Sequence, residues 1–432
     1  MRPVHSWSDL KDRRVGIFGI GVEGRAALER LGTAPSSIVL VDDADVAVPG
    51  HEVVRTDTGG LEALLACEVV IKAPGISRLR PEILALEAAG ISVVGGLGLS
   101  LNEMDRSKVI CVTGTKGKST TSSILGHLAT GLGLTVEVAG NIGTPPFAEG
   151  LTERVDLLII ETSSFQATDL DLAPAMVVVT SLGEDHVDWH GDQARYIADK
   201  LSITSLPGAT RTVIQGRSAE LLAQRDQLGG EVIVSTELAG SWAEPLGLVG
   251  EHNLANAEVA RVALRAFGVL SADDPRALAA AAVGYAPLTG RLSLVAEHED
   301  IRYIDDSLAT NPLPTLAALA SFSETPVALL LGGHDRGVDY SELLDALRNR
   351  RVPTLVIGLP ESGHRLVGNL ATTELLSTVN AGDVAEAVHA AHTWASPGSV
   401  VLLSPAAPSF TQFANWKERS DAFRSAVEKE TT

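Results

Sequence analysis

A lysine behind a glycine turn, an acid closing the next apolar run, and two histidines beyond the run after it could together manage a phosphoryl group and a divalent cation. In VTGTKGKSTT, Val112 to Thr121, the small residues of Gly114-Thr115-Lys116-Gly117 let backbone N–H groups face phosphate oxygens. Lys118 supplies a cation to the β and γ phosphates. Ser119 can offer its hydroxyl to Mg²⁺ and Thr120 can support the helix start. The stretch departs from the Walker spelling G-x-x-x-x-G-K-[ST], because Val112 stands where the first glycine belongs. Glu161 follows the apolar run of DLLIIE, a place where an acid in a nucleoside triphosphatase organises Mg²⁺. GEDHVDWHG follows AMVVVTSL and brings an acid and two histidines close together. A lysine in a loop is usually just solvated; the strand before Lys118, the helix SSILGHLATGLG after it and the downstream IIE favour phosphate.

A second constellation lies nearer the N-terminus. RRVGIFGIGVEGRAALERLG runs from a short apolar strand through Gly19-x-Gly21-x-x-Gly24 into an amphipathic helix pattern. Such a loop can hold a diphosphate on backbone N–H groups at the positive end of a helix. Asp42 closes the next strand, SIVLVDD, about 18 residues past Gly24, where a dinucleotide fold places its ribose-binding acid. Tight strand-to-helix packing is the plainer use of Gly21 and Gly24. Nicotinamide, flavin and UDP groups all suit the loop.

These groups need elements to position them. A chain of 432 residues exceeds one ordinary core, and 45% hydrophobic with 4% aromatic residues suits α/β domains built on Val, Leu, Ile and Ala. We expect three α/β domains: 1–105, Rossmann-like; 106–288, P-loop ATPase-like; and 289–432, again Rossmann-like. The first uses strands at RRVGIF, SIVLVDD, EVVIKAPG and ISVVGG, and the second those at KVICVTG, DLLIIE and AMVVVTSL. The third uses RYIDDS, VALLLGG, TLVIG and VVLLSP, followed by Asp305 and Asp306, by His334, Asp335 and Arg336, and by Ser404. Polar residues follow strand after strand, and open parallel sheets bind ligands at those carboxyl ends. LSLNEMDRSK and YAPLTGRLSL serve as linkers.

The formal charge of −20 opposes general attraction to nucleic acid or an anionic membrane. No run approaches the roughly 18 apolar residues of a membrane span, and the polar N-terminus has no signal-like apolar stretch. A cytoplasmic monomer that binds neither nucleic acid nor membrane is expected. Cys67 and Cys111 sit beside strand-like runs, where a buried free thiol is the common state.

VTGTKGKSTT, AGNIGTP, IIETSSFQ, EDHVDWHG, YIADK and EHNLANAEVA, in that order, resemble the Mur ligases, ATP-dependent amide-forming enzymes of peptidoglycan precursor synthesis. The resemblance covers essentially the whole chain and is greatest to the MurD type. That family spells its loop G-T-x-G-K-[ST], which resolves the misfit at Val112. It implies that Gly114 to Thr120 bind ATP and that Ser119, Glu161, His186 and Lys200 hold Mg²⁺. Lys200, 14 residues after His186, matches the family's carbamylated lysine. The resemblance further implies that Asn253 and Asn256 hold adenine, that Arg291 and Asp306 serve the ATP side, and that Gly19, Gly21, Gly24, Asp42 and Asn141 contact the UDP-linked substrate. Asp335, Arg336, Ser409 and Trp416 would line the incoming amino acid.

The implied reaction adds glutamate to UDP-N-acetylmuramoyl-L-alanine through an acyl phosphate. Closure of the third domain, hinged near 288, would exclude water. DSLATN has Leu308 where the family commonly has lysine, Arg336 replaces a frequent lysine, and Trp416 stands for phenylalanine. These changes leave D-glutamate, the family default, and L-glutamate both open. Two other readings remain: an NAD(P)-dependent oxidoreductase built on Gly19, Gly21, Gly24 and Asp42, and a binding protein that has lost turnover.

Overall fold

The computed structural model describes residues 4–141, 143–148, 155–183, 185, 187–410 and 412–432, and for Val187 and Asp188 the backbone alone. It is a mixed α/β protein with three sheets, and it divides into two compact units. One unit comprises residues 1–245 with 255–284, and the other residues 246–254 with 285–432.

The first unit holds two sheets. In one, β1 (Arg14–Phe18), β2 (Ser37–Asp42), β3 (Val53–Arg55), β4 (Val69–Lys72) and β5 (Ser92–Val94) lie parallel in the order β3-β2-β1-β4-β5. In the other, β6 (Val109–Thr113), β7 (Val136–Gly140), β8 (Leu157–Glu161), β9 (Met176–Val179), β10 (Arg211–Gln215) and β11 (Glu231–Ser235) lie parallel in the order β11-β10-β9-β6-β8-β7. The continuous apolar runs of β4, β6, β8 and β9 are buried on both faces, as parallel sheets covered by helices require. Around β6, the chain moves to β8 on one side and β9 on the other. That reversal makes the end of β6 a topological switch point, and Gly114 and its loop follow β6 directly.

The second unit is built on β12 (Ser293–His298), β13 (Ile301–Asp305), β14 (Val327–Gly333), β15 (Thr354–Glu361), β16 (Leu376–Asn380) and β17 (Val400–Leu403), ordered β12-β13-β17-β14-β15-β16. Its strands are parallel except for the antiparallel pair β12 and β13. The ends of β13, β17 and β14 therefore lie side by side.

Every strand expected from the sequence is present. The additional ones, β3, β7, β10, β11, β12 and β16, include five sheet edges, and edge strands carry the short, polar, half-exposed sequences that natural proteins use there. Cys67 and Cys111 are both buried free thiols. Burial pushes the Cys111 thiol up to about 12. No helix among the described residues is long and apolar enough to cross a membrane.

Candidate active site

The phosphate-loop geometry follows from its two glycines. Gly114 has φ of +141° and Gly117 +87°, conformations that side-chain-bearing residues rarely adopt. A Cβ on Gly114 would collide with Thr180 Oγ1, and one on Gly117 would come within 2.6 Å of Asn256 Oδ1. Lys116 N–H donates to Ser181 Oγ at 2.9 Å, and Lys116 Nζ lies 3.2 Å from Asp185. The helix Lys118–Gly131 starts directly after Gly117, with Ser119 and Thr120 buried in its first turn.

Two lysines converge on one carbonyl. Lys118 Nζ donates to Gly114 O at 2.9 Å and to Thr115 O at 3.1 Å, while Lys200 Nζ donates to the same Gly114 O at 3.0 Å. Lys200 is 2% exposed. Burial first, then the Lys118 charge, holds its ammonium well below the usual lysine range. Glu161 ends β8, and Thr162 N–H donates to Val112 O across the strand pair. Its Oε1 accepts from Asn141 Nδ2 at 2.9 Å, while Oε2 is buried without a hydrogen-bond partner. A buried acceptor in that condition is costly unless a cation or donor meets it. His186 lies outside the described residues. Among the described residues no three His, Cys, Asp or Glu side chains cluster as a metal site.

The helix Gln193–Leu201, which carries Lys200, is fastened from two sides. Tyr196 OH shares a 2.9 Å hydrogen bond with Thr115 Oγ1 in the phosphate loop. Asp199 Oδ2 accepts from His190 Nδ1 at 2.7 Å, and His190 Nε2 accepts from Ser164 Oγ at 3.0 Å. Burial keeps His190 below its ordinary value, which fits a neutral ring bearing its proton on Nδ1.

At the first sheet's carboxyl edge, Gly19 takes φ of +93°, Ile20 N–H donates to Asp42 Oδ2 at 2.6 Å, and Gly21 caps the helix Val22–Leu31. Gly24 is forced by the carbonyl of Gly19, on which a Cβ would collide, whereas Gly21 faces open space. The loop and Asp42 are thus adjacent. Two features of this edge carry no signal in the sequence. Glu23 Oε1 accepts from Gln166 Nε2 at 2.7 Å, and burial pushes its carboxyl up to about 7. Lys72, at the end of β4, reaches Asp169 Oδ2 at 2.6 Å, and Arg78 Nε reaches Asp169 Oδ1 at 2.8 Å.

In the second unit, Arg336 Nη2 donates to Thr310 O at 3.3 Å and His334 N–H donates to Pro408 O at 2.9 Å. The loops after β13, β14 and β17, carrying Leu308, Asp335, Arg336 and Ser409, are therefore drawn together. Asp335 is paired with Arg365 at 2.7 Å, a partner that the sequence does not reveal. Leu308 N–H donates to Gly290 O at 3.0 Å. The Trp416 ring packs against Gly290, where a Cβ would meet it at 3.0 Å. Asp306 accepts from Ser404 Oγ at 2.7 Å, and burial pushes it up to about 7, with the Arg291 charge opposing. Arg419 is buried and donates to Ala407 O and Ser307 O, both at 2.9 Å. Asn253 Nδ2 donates to Val249 O at 2.9 Å. Asn253 falls in this unit and Asn256 in the first.

Residues 112–236 match the family described as Mur ligase middle domain, and residues 290–407 that described as Mur ligase, glutamate ligase domain. A protein of Micromonospora sp. named UDP-N-acetylmuramoyl-L-alanine–L-glutamate ligase is 36% identical over 97% of each chain. One of the same name from Salinispora tropica is 35% identical over 97% of this chain and 98% of its own. Among solved structures, the UDP-N-acetylmuramate-alanine ligase MurC of Thermotoga maritima has a TM-score of 0.57 at 18% identity, covering 96% of this chain and 99% of that one. The MurF ligase of Thermotoga maritima in complex with ADP also has a TM-score of 0.57, at 15% identity, covering 99% and 97%. These two structures share the fold. The chain belongs to the Mur ligase family, MurD type.

Proposed function

We propose that the protein is an ATP-dependent, ADP-forming ligase that joins L-glutamate to UDP-N-acetylmuramoyl-L-alanine in the cytoplasm as a monomer. The observation that carries the reading is the convergence of Lys118 and Lys200 on the Gly114 carbonyl, one strand from the buried, half-satisfied carboxylate of Glu161. Two ammonium groups on one carbonyl repel each other, and a neutral Lys200 amine can add CO₂. The nitrogen then bonds the CO₂ carbon, one C–O π bond opens, and a proton leaves, so that a carbamate replaces a cation. The names of the relatives support L-glutamate over its mirror image, and none of them supports the oxidoreductase reading.

The three domains would divide the work as 1–105 for the UDP end, 106–288 for ATP and 289–432 for glutamate. Gly19, Gly21, Gly24, Asp42 and Asn141 hold the acceptor. Gly114 to Thr120, Asn253, Asn256, Arg291 and Asp306 hold ATP. Asp335, Arg336, Ser409 and Trp416 hold the amino acid.

The orphan Oε2 of Glu161 suits a hard cation. Ser119, Glu161, His186 and carbamylated Lys200 would hold Mg²⁺, which when bound offsets the charge of the phosphates and the acceptor carboxylate. Lys118 draws the γ-phosphate toward that carboxylate. The carboxylate oxygen bonds phosphorus as the bond to ADP breaks, and the glutamate amine then displaces phosphate from the acyl carbon with loss of a proton. Alignment of mutually repelling anions is the main catalytic task. Phosphate release measured with UDP-N-acetylmuramoyl-L-alanine and each glutamate enantiomer tests the proposal: L-glutamate should support turnover. Release with D-glutamate alone would reverse the stereochemical reading, and release with neither would end the ligase reading.

A further inference from the structure

Ser164, His190 and Asp199 form a hydrogen-bonded chain with the residue types of a hydrolase triad, Ser164 Oγ to His190 Nε2 at 3.0 Å and His190 Nδ1 to Asp199 Oδ2 at 2.7 Å. Its nucleophile position has no access for a substrate. Ser164 is 2% exposed and His190 fully buried, within an aromatic stack in which Phe165 lies 4.4 Å from Trp189, Trp189 4.4 Å from His190, and His190 5.3 Å from Tyr196. A nucleophile sealed this way attacks nothing, so the chain must serve another end.

Its termini show which. Ser164 opens the short helix Ser164–Ala167, in the segment that leaves Glu161 at the end of β8. Asp199 immediately precedes Lys200 in the last turn of Gln193–Leu201. The imidazole is therefore a strut between the segment behind Glu161 and the turn bearing Lys200. Tyr196 fastens the same helix one turn earlier, through Thr115, and its ring lies 4.9 Å from Lys200 Nζ. The strut also occupies the Asp199 carboxylate, whose other ion-pair partner among the described residues is Arg195 at 3.8 Å. Among the described residues Lys200 has no ion pair.

We propose that His190 is a positioning residue for Lys200, holding the helix turn and restraining Asp199 so that the Lys200 amine stays aimed at the Gly114 carbonyl and open to carbamylation. The inference rests on the reading of Lys200 as a carbamate. Partners behind metal ligands commonly contribute about 10–100-fold in affinity or activity, and a displaced reacting group can cost ~100-fold.

The test is ¹³C NMR of the whole protein equilibrated with ¹³C-bicarbonate, comparing wild type with His190→Asn, which keeps the reach to Asp199, and His190→Gln, which keeps the reach to Ser164. Lys200→Ala assigns the carbamate resonance by removing it. The expected result is a resonance at least about threefold weaker in both His190 variants at equal bicarbonate, recovering as bicarbonate is raised, with a thermal midpoint within a few degrees of wild type. Asp199→Ala, which cuts the strut at its partly exposed end, should weaken it in the same direction and decides the matter if the His190 variants do not fold. A full-strength resonance in the folded variants would overturn the role of His190 while leaving the carbamate intact. Absence of the resonance in wild type would overturn the carbamate and this inference together.

Discussion

Removing the Asp169 carboxylate should be among the costliest single changes in the first unit. Its Oδ2 lies 2.6 Å from Lys72 Nζ, with the two side chains 2% and 0% exposed, and its Oδ1 lies 2.8 Å from Arg78 Nε. At an effective dielectric of ~20, opposite charges at that separation attract by about 6 kcal/mol, partly offset by desolvation. In Asp169→Ala the Lys72 ammonium keeps the Trp189 ring, 5.7 Å away, but no carboxylate within ion-pair distance among the described residues. It can escape by losing its proton, at about 1.4 kcal/mol for each pH unit between 7 and a lysine's ordinary ~10.4, which caps the loss near 5 kcal/mol. The expected cost is therefore about 3–5 kcal/mol, measured by urea unfolding at pH 7. The pH dependence has a definite sign. Burial already lowers Lys72, and without Asp169 the folded state binds fewer protons there than the unfolded state. The variant's deficit should therefore shrink as pH rises from 7 to 9.5. Adding Lys72→Met should recover much of the loss, since a buried apolar residue replaces an unpaired charge. A deficit under about 1 kcal/mol, or one that neither shrinks with pH nor yields to Lys72→Met, would refute a stabilising role for the pair.

Three further outcomes are expected. Gly117→Ala places a Cβ 2.6 Å from Asn256 Oδ1 at φ of +87°; it should cost about 1–3 kcal/mol in thermal unfolding and weaken ATP binding by calorimetry, with Asn256→Ala restoring only the steric part. Glu23, raised from 4.5 to about 7 by burial, contributes stability that is fully present below pH 4.5 and lost as pH rises through 7; Glu23→Gln keeps the Gln166 contact and should gain on wild type by about 1–2 kcal/mol between pH 4.5 and 8, after allowance for solvent screening. Lys200→Ala should lower kcat by at least about 100-fold, with partial rescue by acetate, which would supply the carboxylate of the proposed carbamate.

The phosphate loop was legible because glycine spacing, one lysine and an apolar strand are contiguous, and backbone sterics tie them to one shape. The central strands were legible for a related reason: VICVT and LLIIE are too uniformly apolar to lie anywhere but a covered sheet. What the sequence concealed are pairings across long separations. Lys72 and Asp169 are 97 positions apart and Arg365 lies 30 positions beyond Asp335. Each carries no local signal, because a buried ion pair is defined by topology and not by neighbours. His190 is different. Its sequence, DWHG, offers a second histidine in a motif where His186 is the one the family resemblance marks, and only the short distances to Ser164 and Asp199 show that it faces inward.

The two thiols, unremarkable for chemistry, are placed as a matched pair of clocks. Cys67 packs under the first sheet, where it lies among the groups that crowd Gly16, and Cys111 is sealed in β6 of the second, each in a separate apolar cluster. Both thiols are buried, so alkylation awaits local opening around each, and their labelling rates in native buffer report two local opening equilibria. A chain with just two cysteines thus needs no engineered probe to show whether the surroundings of the first and second sheets open together or apart.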